Sequence, residues 1–224
     1  MNLEIITTSD GSHSLRNNAL NETYHSVHGA MQESIHVFIK NGFDFIAANS
    51  DHDEIRMLEI GFGTGLNAWL TWQSSQQTKK KINYTSLEAF PVPEEIWSKL
   101  NYTTALPDSN AFRKLHEAPW NVQVDIEVNF TLHKLHTTLQ QVQLPADFYD
   151  VIYFDAFAPS KQPEMWTFEI LEKVVSLMRT GGAFVTYCAK GQLKRDLKTL
   201  GLHVETLEGP PGKKEMVRGS KSLS

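Results

Sequence analysis

Leu58-Glu59-Ile60-Gly61-Phe62-Gly63-Thr64-Gly65-Leu66-Asn67 is an apolar run that stops in three glycines at every second position. The apolar residues of Ile55–Ile60 read as a short strand, and the pattern after the glycines, Leu66–Gln73, reads as a helix. A strand that enters a helix through glycines turns tightly and lets backbone come close to a ligand. The free amides and positive end of the helix then face the same crevice. A tight turn with no ligand has the same composition, so the turn alone is a weak signal. Its spacing says more. A dinucleotide fingerprint needs Gly-x-Gly-x-x-Gly or Ala. Counted from Gly61, the third position falls on Leu66, which disfavours a nicotinamide oxidoreductase.

Outward from this turn, strands and helices alternate. Ile82–Leu87 reads as a strand and Pro93–Leu100 as a helix with proline near its start. Val122–Val128 reads as a strand and Leu132–Val142 as a helix. Tyr149–Phe154 is nearly all apolar, as expected of a strand buried on both faces. Met165–Met178 reads as an amphipathic helix stopped by Gly181-Gly182. Strands at 183–188, 202–207 and 215–219 follow, with a helix around 192–200. This alternation predicts an α/β fold with a mostly parallel, doubly wound sheet. Residues 1–50 differ: a possible hairpin around Ser9-Asp10-Gly11-Ser12 precedes helical spacing of Met31, Ile35, Phe38 and Ile39, with Gly42 as a stop. The expected division is an accessory hairpin and helix over 1–50 and one main domain over 51–224.

In a doubly wound sheet, ligands gather at the carboxyl ends of the strands. Glu88 ends the second main strand, 23 residues after Gly65, about the length of one helix and one strand. An exposed strand-end acid is the plain alternative. The pattern Glu-x-Gly-x-Gly-x-Gly resembles the S-adenosylmethionine-binding turn of class I methyltransferases, which have a Rossmann-like fold. The resemblance implies that Glu59, Gly61, Gly63, Gly65 and Asn67 surround the methionine part and ribose edge of the cofactor. It also implies that Glu88 accepts the ribose hydroxyls. Many such enzymes carry an acid after the third strand for the adenine amino group. The hydrophobic pattern puts that place near Thr131-Leu132-His133, where there is no acid.

Phe154-Asp155-Ala156-Phe157-Ala158-Pro159-Ser160-Lys161-Gln162-Pro163-Glu164-Met165-Trp166 follows the buried strand. A carboxylate at the mouth of such a strand costs desolvation unless a ligand or donor meets it, so Asp155 is the candidate catalytic residue. For Trp166 a structural plug is the better reading. This stretch is similar to the signature of MnmC-type tRNA methyltransferase domains. Glu22-Thr23-Tyr24-His25-Ser26 and Gly212-Lys213-Lys214-Glu215-Met216 resemble the same family. The resemblance implies N-methylation, with S-adenosylmethionine, of the exocyclic amine of 5-aminomethyl-(2-thio)uridine at the wobble position of a tRNA anticodon loop. With no second dinucleotide fingerprint, the chain resembles the stand-alone form of the family, so a separate enzyme is expected to supply the amine. Tyr24 and Phe157 are candidates to stack on a splayed uracil, with core packing as the alternative. Lys161, Lys213 and Lys214 are candidates for anticodon-loop phosphates.

Composition bounds these readings. The 224 residues are 41% hydrophobic and 21% charged, as in an ordinary globular chain. The net charge of -5 argues against a protein devoted to nucleic acid. Yet 190–224 holds 8 Lys+Arg against 4 Asp+Glu, so a basic C-terminal region can meet phosphates, or can be plain solvated surface. The single cysteine, Cys188, suits a reducing cytoplasm. No signal peptide or membrane-spanning run is visible. The nine histidines contain no His-x-x-x-His pair, so no metal site is expected. Two alternatives remain on the same fold: a small-molecule amine N-methyltransferase or aminopropyltransferase, and a non-catalytic cofactor- or RNA-binding module. The intact loop after Asp155 speaks against the second.

Overall fold

Every residue of Tyr149–Phe154 is buried, which puts that strand inside a sheet covered on both faces. The computed structural model describes residues 2–103 and 109–222. The chain opens with a small antiparallel sheet of β1 (Leu3–Thr7), β2 (His13–Asn17) and β3 (Glu22–Thr23). A helical rod follows: α1 (Ala30–Ser34), a π-type stretch over Ile35–Phe43, and α2 (Asp44–Asn49). Gly42 was expected to stop this helix, yet the rod runs through it. A Cβ there would lie 2.8 Å from the Tyr153 ring, so glycine serves the close approach of rod to sheet rather than a cap.

The main part alternates as expected: β4 (Glu54–Ile60), α3 (Leu66–Ser75), β5 (Lys81–Glu88), α4 (Glu94–Trp97) and α5 (Ser109–Glu117). Then come β6 (Gln123–Glu127), β7 (Phe130–His136) and β8 (Tyr149–Phe154). After a 3-10 turn at Pro163–Trp166, α6 (Phe168–Leu177), β9 (Met178–Thr186), α7 (Gly191–Thr199), β10 (Leu202–Glu208) and β11 (Glu215–Lys221) complete the chain. The eight-stranded sheet has the order β10-β11-β9-β8-β4-β5-β7-β6. Its five central strands are parallel; β6 and β11 run against them, and β10, paired antiparallel with β11, runs with them. The direction of winding reverses between β4 and β8, so the crevice at their carboxyl ends is where a ligand belongs.

Two further expectations fail. Leu132–Val142 is not a helix: β7 and a turn occupy it. Leu132, Leu135, Leu139 and Val142 mimic a helical stripe, but Phe130, Leu132 and Lys134 are buried alternately with period two. The carboxyl end of the strand is therefore His136, and Thr131–His133 lies inside it, away from the crevice mouth. Gly181-Gly182 does not stop the helix either. The helix ends at Leu177, with Met178 already extended, and both glycines lie within β9.

One face of the sheet carries the rod, α3 and α5 around Phe38, Phe43, Trp69 and Tyr153. The other carries α6 and α7 around Leu171, Val174, Phe184 and Leu197. Among the described residues no helix is long and apolar enough to cross a membrane, and no group of three His, Cys, Asp or Glu side chains is placed to hold a metal.

Candidate active site

The glycine turn is built by backbone that only glycine adopts easily. Gly61 and Gly63 have φ of 96° and 52°, and a Cβ on Gly61 would lie 3.0 Å from the carbonyl oxygen of Asp155. The amides of Gly61 and Phe62 both donate to Leu87 O, at 2.9 and 3.1 Å. The turn is thereby stitched to the end of β5, next to Glu88. The two carboxylate oxygens of Glu88 accept one amide each: Oε2 from Gly63 N and Oε1 from Phe90 N, both at 2.8 Å. Burial raises the Glu88 carboxyl above its ordinary value, and the backbone amides oppose that rise. Each oxygen keeps lone-pair capacity for a further donor.

These groups border a cavity of about 600 Å³, within the range of small-molecule sites. Gly61, Gly63, Asn67, Glu88, Asp155, Tyr24 and Phe157 all line it. Tyr24 comes from the N-terminal segment, and a Cβ on Gly63 would lie 3.2 Å from its ring. Its ring meets that of Phe157 edge-on at 5.1 Å. Asp155 emerges from the end of β8, where its amide donates to Ile60 O at 3.1 Å. Asn67 Nδ2 donates to its Oδ2 at 2.8 Å. Desolvation first, then the charge of Glu33, pushes the Asp155 carboxyl up to about 7; the Asn67 hydrogen bond and Lys213 pull the other way. An acid poised there exchanges a proton near neutral pH.

The remaining sequence candidates lie elsewhere. Glu59 is fully buried behind the turn. Ser86 Oγ donates to its Oε2 at 2.6 Å, Oε1 meets no hydrogen-bond partner among the described residues, and burial holds the acid well above its usual range. It supports the turn from below rather than lining the cavity. Gly65, at φ 72°, caps α3 with its missing Cβ directed at His116. Lys161 Nζ reaches back to Leu20 O at 3.2 Å. Lys213 is held by Glu33 at 2.5 Å and lies 3.8 Å from the Tyr187 ring centre, so it is not a free surface cation. Lys214 is exposed. Trp166 is a brace, as expected: Nε1 donates to Phe157 O at 2.8 Å and its ring packs on Phe154.

Sequence reasoning missed part of the wall. Thr137, Thr138 and Gln140 line the cavity just past β7, where a helix was expected. Phe90 also lines it, and is 63% exposed. The signal was available for Phe90, an apolar residue two places beyond the strand-end acid.

Strand order, glycine turn and strand-end acid together define a Rossmann-like domain of the class I methyltransferase type. The chain belongs to the S-adenosyl-L-methionine-dependent methyltransferase family whose model matches residues 97–222. It is similar to the bifunctional MnmC proteins of tRNA 5-methylaminomethyl-2-thiouridine biosynthesis. It is 28% identical to that of Cupriavidus metallidurans over 87% of this chain and 30% of the relative. It is also 28% identical to that of Marinomonas sp., over 92% and 32%. The chain thus spans about a third of the length of these relatives. The crystal structure of MnmC2 from Aquifex aeolicus superposes with a TM-score of 0.78 at 25% identity, over 99% of this chain and 71% of that one. Spermidine synthase from Thermotoga maritima shares the fold, with a TM-score of 0.64 at 12% identity over 99% and 69%.

Proposed function

We propose that this enzyme methylates the exocyclic amine of 5-aminomethyl-(2-thio)uridine at the tRNA wobble position, giving the 5-methylaminomethyl nucleoside. The observation that carries the proposal is Asp155: a carboxyl poised near neutrality, fixed by Asn67, on the wall of the cavity that the glycine turn also lines. The similarity to the tRNA-modifying MnmC relatives supports this choice of substrate.

The residues present fit the cofactor. Gly61 and Gly63 let backbone border the cavity, and Glu88 offers carboxylate lone pairs beside them for ribose hydroxyls. Asn67 acts through Asp155, while Glu59 and Gly65 support the turn from outside the cavity. Bound S-adenosylmethionine supplies an electrophilic methyl group, so the protein chiefly has to position a nucleophile with a free lone pair. An alkyl amine is mostly protonated at neutral pH. Asp155 accepts its proton and leaves the nitrogen lone pair free. Tyr24 and Phe157 present aromatic surface to the base; the candidates for phosphates are Lys161, whose Nζ bonds Leu20 O on the cavity lining, and the exposed Lys214. The partner is a tRNA anticodon loop that already carries the amine, and the setting is the cytoplasm. The test is nucleoside mass analysis of tRNA from cells lacking the protein. Accumulated 5-aminomethyl-uridine species are expected; unchanged wobble uridines overturn the reading.

A further inference from the structure

A second cavity, of about 500 Å³, adjoins the first and shares Tyr24 and His25 with it. Four parts of the chain build it. The N-terminal segment contributes Arg16, Glu22 and Glu33; the loop after Asp155 contributes Ala158; Tyr187 follows β9; and Lys213 comes from the β10–β11 turn. We infer that this second cavity is the outer part of the acceptor site: the splayed nucleotide enters through it and extends its amine past the shared Tyr24 to Asp155 on the wall of the first cavity. The inference rests on the tRNA reading above.

Charge supports it. The lining holds two cations, Arg16 and Lys213, and two carboxylates, Glu22 and Glu33. A nucleotide with a phosphate and an aminomethyl ammonium carries one charge of each sign, and a balanced lining suits it better than a lining of one sign. The charges are also graded by depth. Glu33 is buried, with Oε1 taking Ser26 N at 2.9 Å and Oε2 taking Lys213. Arg16 is exposed, bonded to Asn21 Oδ1 at 2.9 Å. A fixed ion pair inside and a solvent-facing guanidinium outside match a base that enters and a phosphate that stays at the rim.

Geometry supports it too. Tyr187 lines the pocket with Lys213 Nζ over its ring, and donates from its hydroxyl to Ala156 O at 2.8 Å. Ala156 adjoins Asp155, so the wall that meets the acceptor is tied to the reacting carboxyl. Tyr24 lines both pockets, and its ring meets Gly63 and Phe157 of the first. The N-terminal segment thus has a task besides packing: it supplies most of the pocket that selects the acceptor.

The test uses steady-state methyl transfer to tRNA carrying 5-aminomethyl-uridine, with S-adenosylmethionine affinity measured by calorimetry. Val27→Trp crowds the mouth of the pocket from a side chain that is 51% exposed. Arg16→Ala removes the rim cation. Each is expected to raise KM for tRNA about tenfold, the scale of one charge-assisted contact, with cofactor affinity unchanged. Val128→Trp, on the remote β6–β7 turn and 95% exposed, is expected to behave as the parent. If the parent methylates tRNA and both pocket variants keep its KM, the pocket assignment fails and the tRNA reading stands. If the parent does not methylate this tRNA at all, the tRNA reading fails and the acceptor pocket fails with it.

Discussion

Asn67, in the first turn of α3, donates a 2.8 Å hydrogen bond to the carboxylate of Asp155 at the end of β8. The bond spans the reversal point of the sheet and fixes the carboxyl on the cavity wall. Asn67 Oδ1 is buried and meets no hydrogen-bond partner among the described residues, and the bond from Nδ2 to Asp155 orients the amide. It also opposes the desolvation that lifts the Asp155 pKa.

Asp155→Asn keeps the shape but cannot accept a proton. Single-turnover methyl transfer should fall by about 10²- to 10⁴-fold, the usual contribution of a general base. Calorimetry should show unchanged S-adenosylmethionine affinity. A parental rate would make Asp155 structural.

The pH dependence follows from the same group. Parental kcat/KM should rise with pH and level off above about 7, as Asp155 ionises. Its folded pKa is raised, so its contribution to stability is present at low pH and lost as pH rises through about 7. Asp155→Asn should therefore raise Tm relative to the parent at pH 8 and by much less at pH 5. Asn67→Ala removes a hydrogen bond that lowers the pKa, so it should move the acid limb of the rate profile to higher pH. An unmoved limb would detach Asn67 from Asp155 in function.

Glu88→Ala should weaken S-adenosylmethionine binding by about 1.5–3 kcal/mol, the loss expected for hydrogen bonds to a charged group. It also frees the amides of Gly63 and Phe90, so a modest drop in Tm is expected alongside. Equal calorimetric affinity in mutant and parent would remove Glu88 from the cofactor site.

Gly61→Ala forces a side chain onto φ 96° and brings a Cβ to 3.0 Å from the Asp155 carbonyl oxygen. Strain of about 1–3 kcal/mol is expected, seen as a lower Tm together with weaker cofactor binding. An unchanged pair of values would mean that the turn relaxes freely.

Lys213 and Lys214 should part company. Lys214→Ala should lower the slope of tRNA affinity against salt by about one phosphate contact. Lys213→Ala strands the buried Glu33 carboxylate and should cost about 1–3 kcal/mol of stability in denaturant melts. If the two variants behave alike, the ion pair does not distinguish them.

What was legible in the sequence was what depends on local pattern. The glycine turn, Glu88 and the apolar run before Asp155 are each defined within a few residues. Strand period and spacing therefore located the carboxyl ends where a doubly wound sheet puts its ligands. The same local reading misjudged 132–142, because leucines at helical intervals also fit a strand followed by a turn. The choice was made by pairing β7 with β5, a contact distant in sequence. Tertiary structure likewise decided which candidates meet. Glu59 and Gly65 sit in the same motif as Gly61, yet burial and His116 turn them away from the cavity. Lys213 and Glu33 are 180 residues apart. Pattern in a single chain says nothing of such a pair, because a desolvated carboxylate takes whichever cation the fold brings to it.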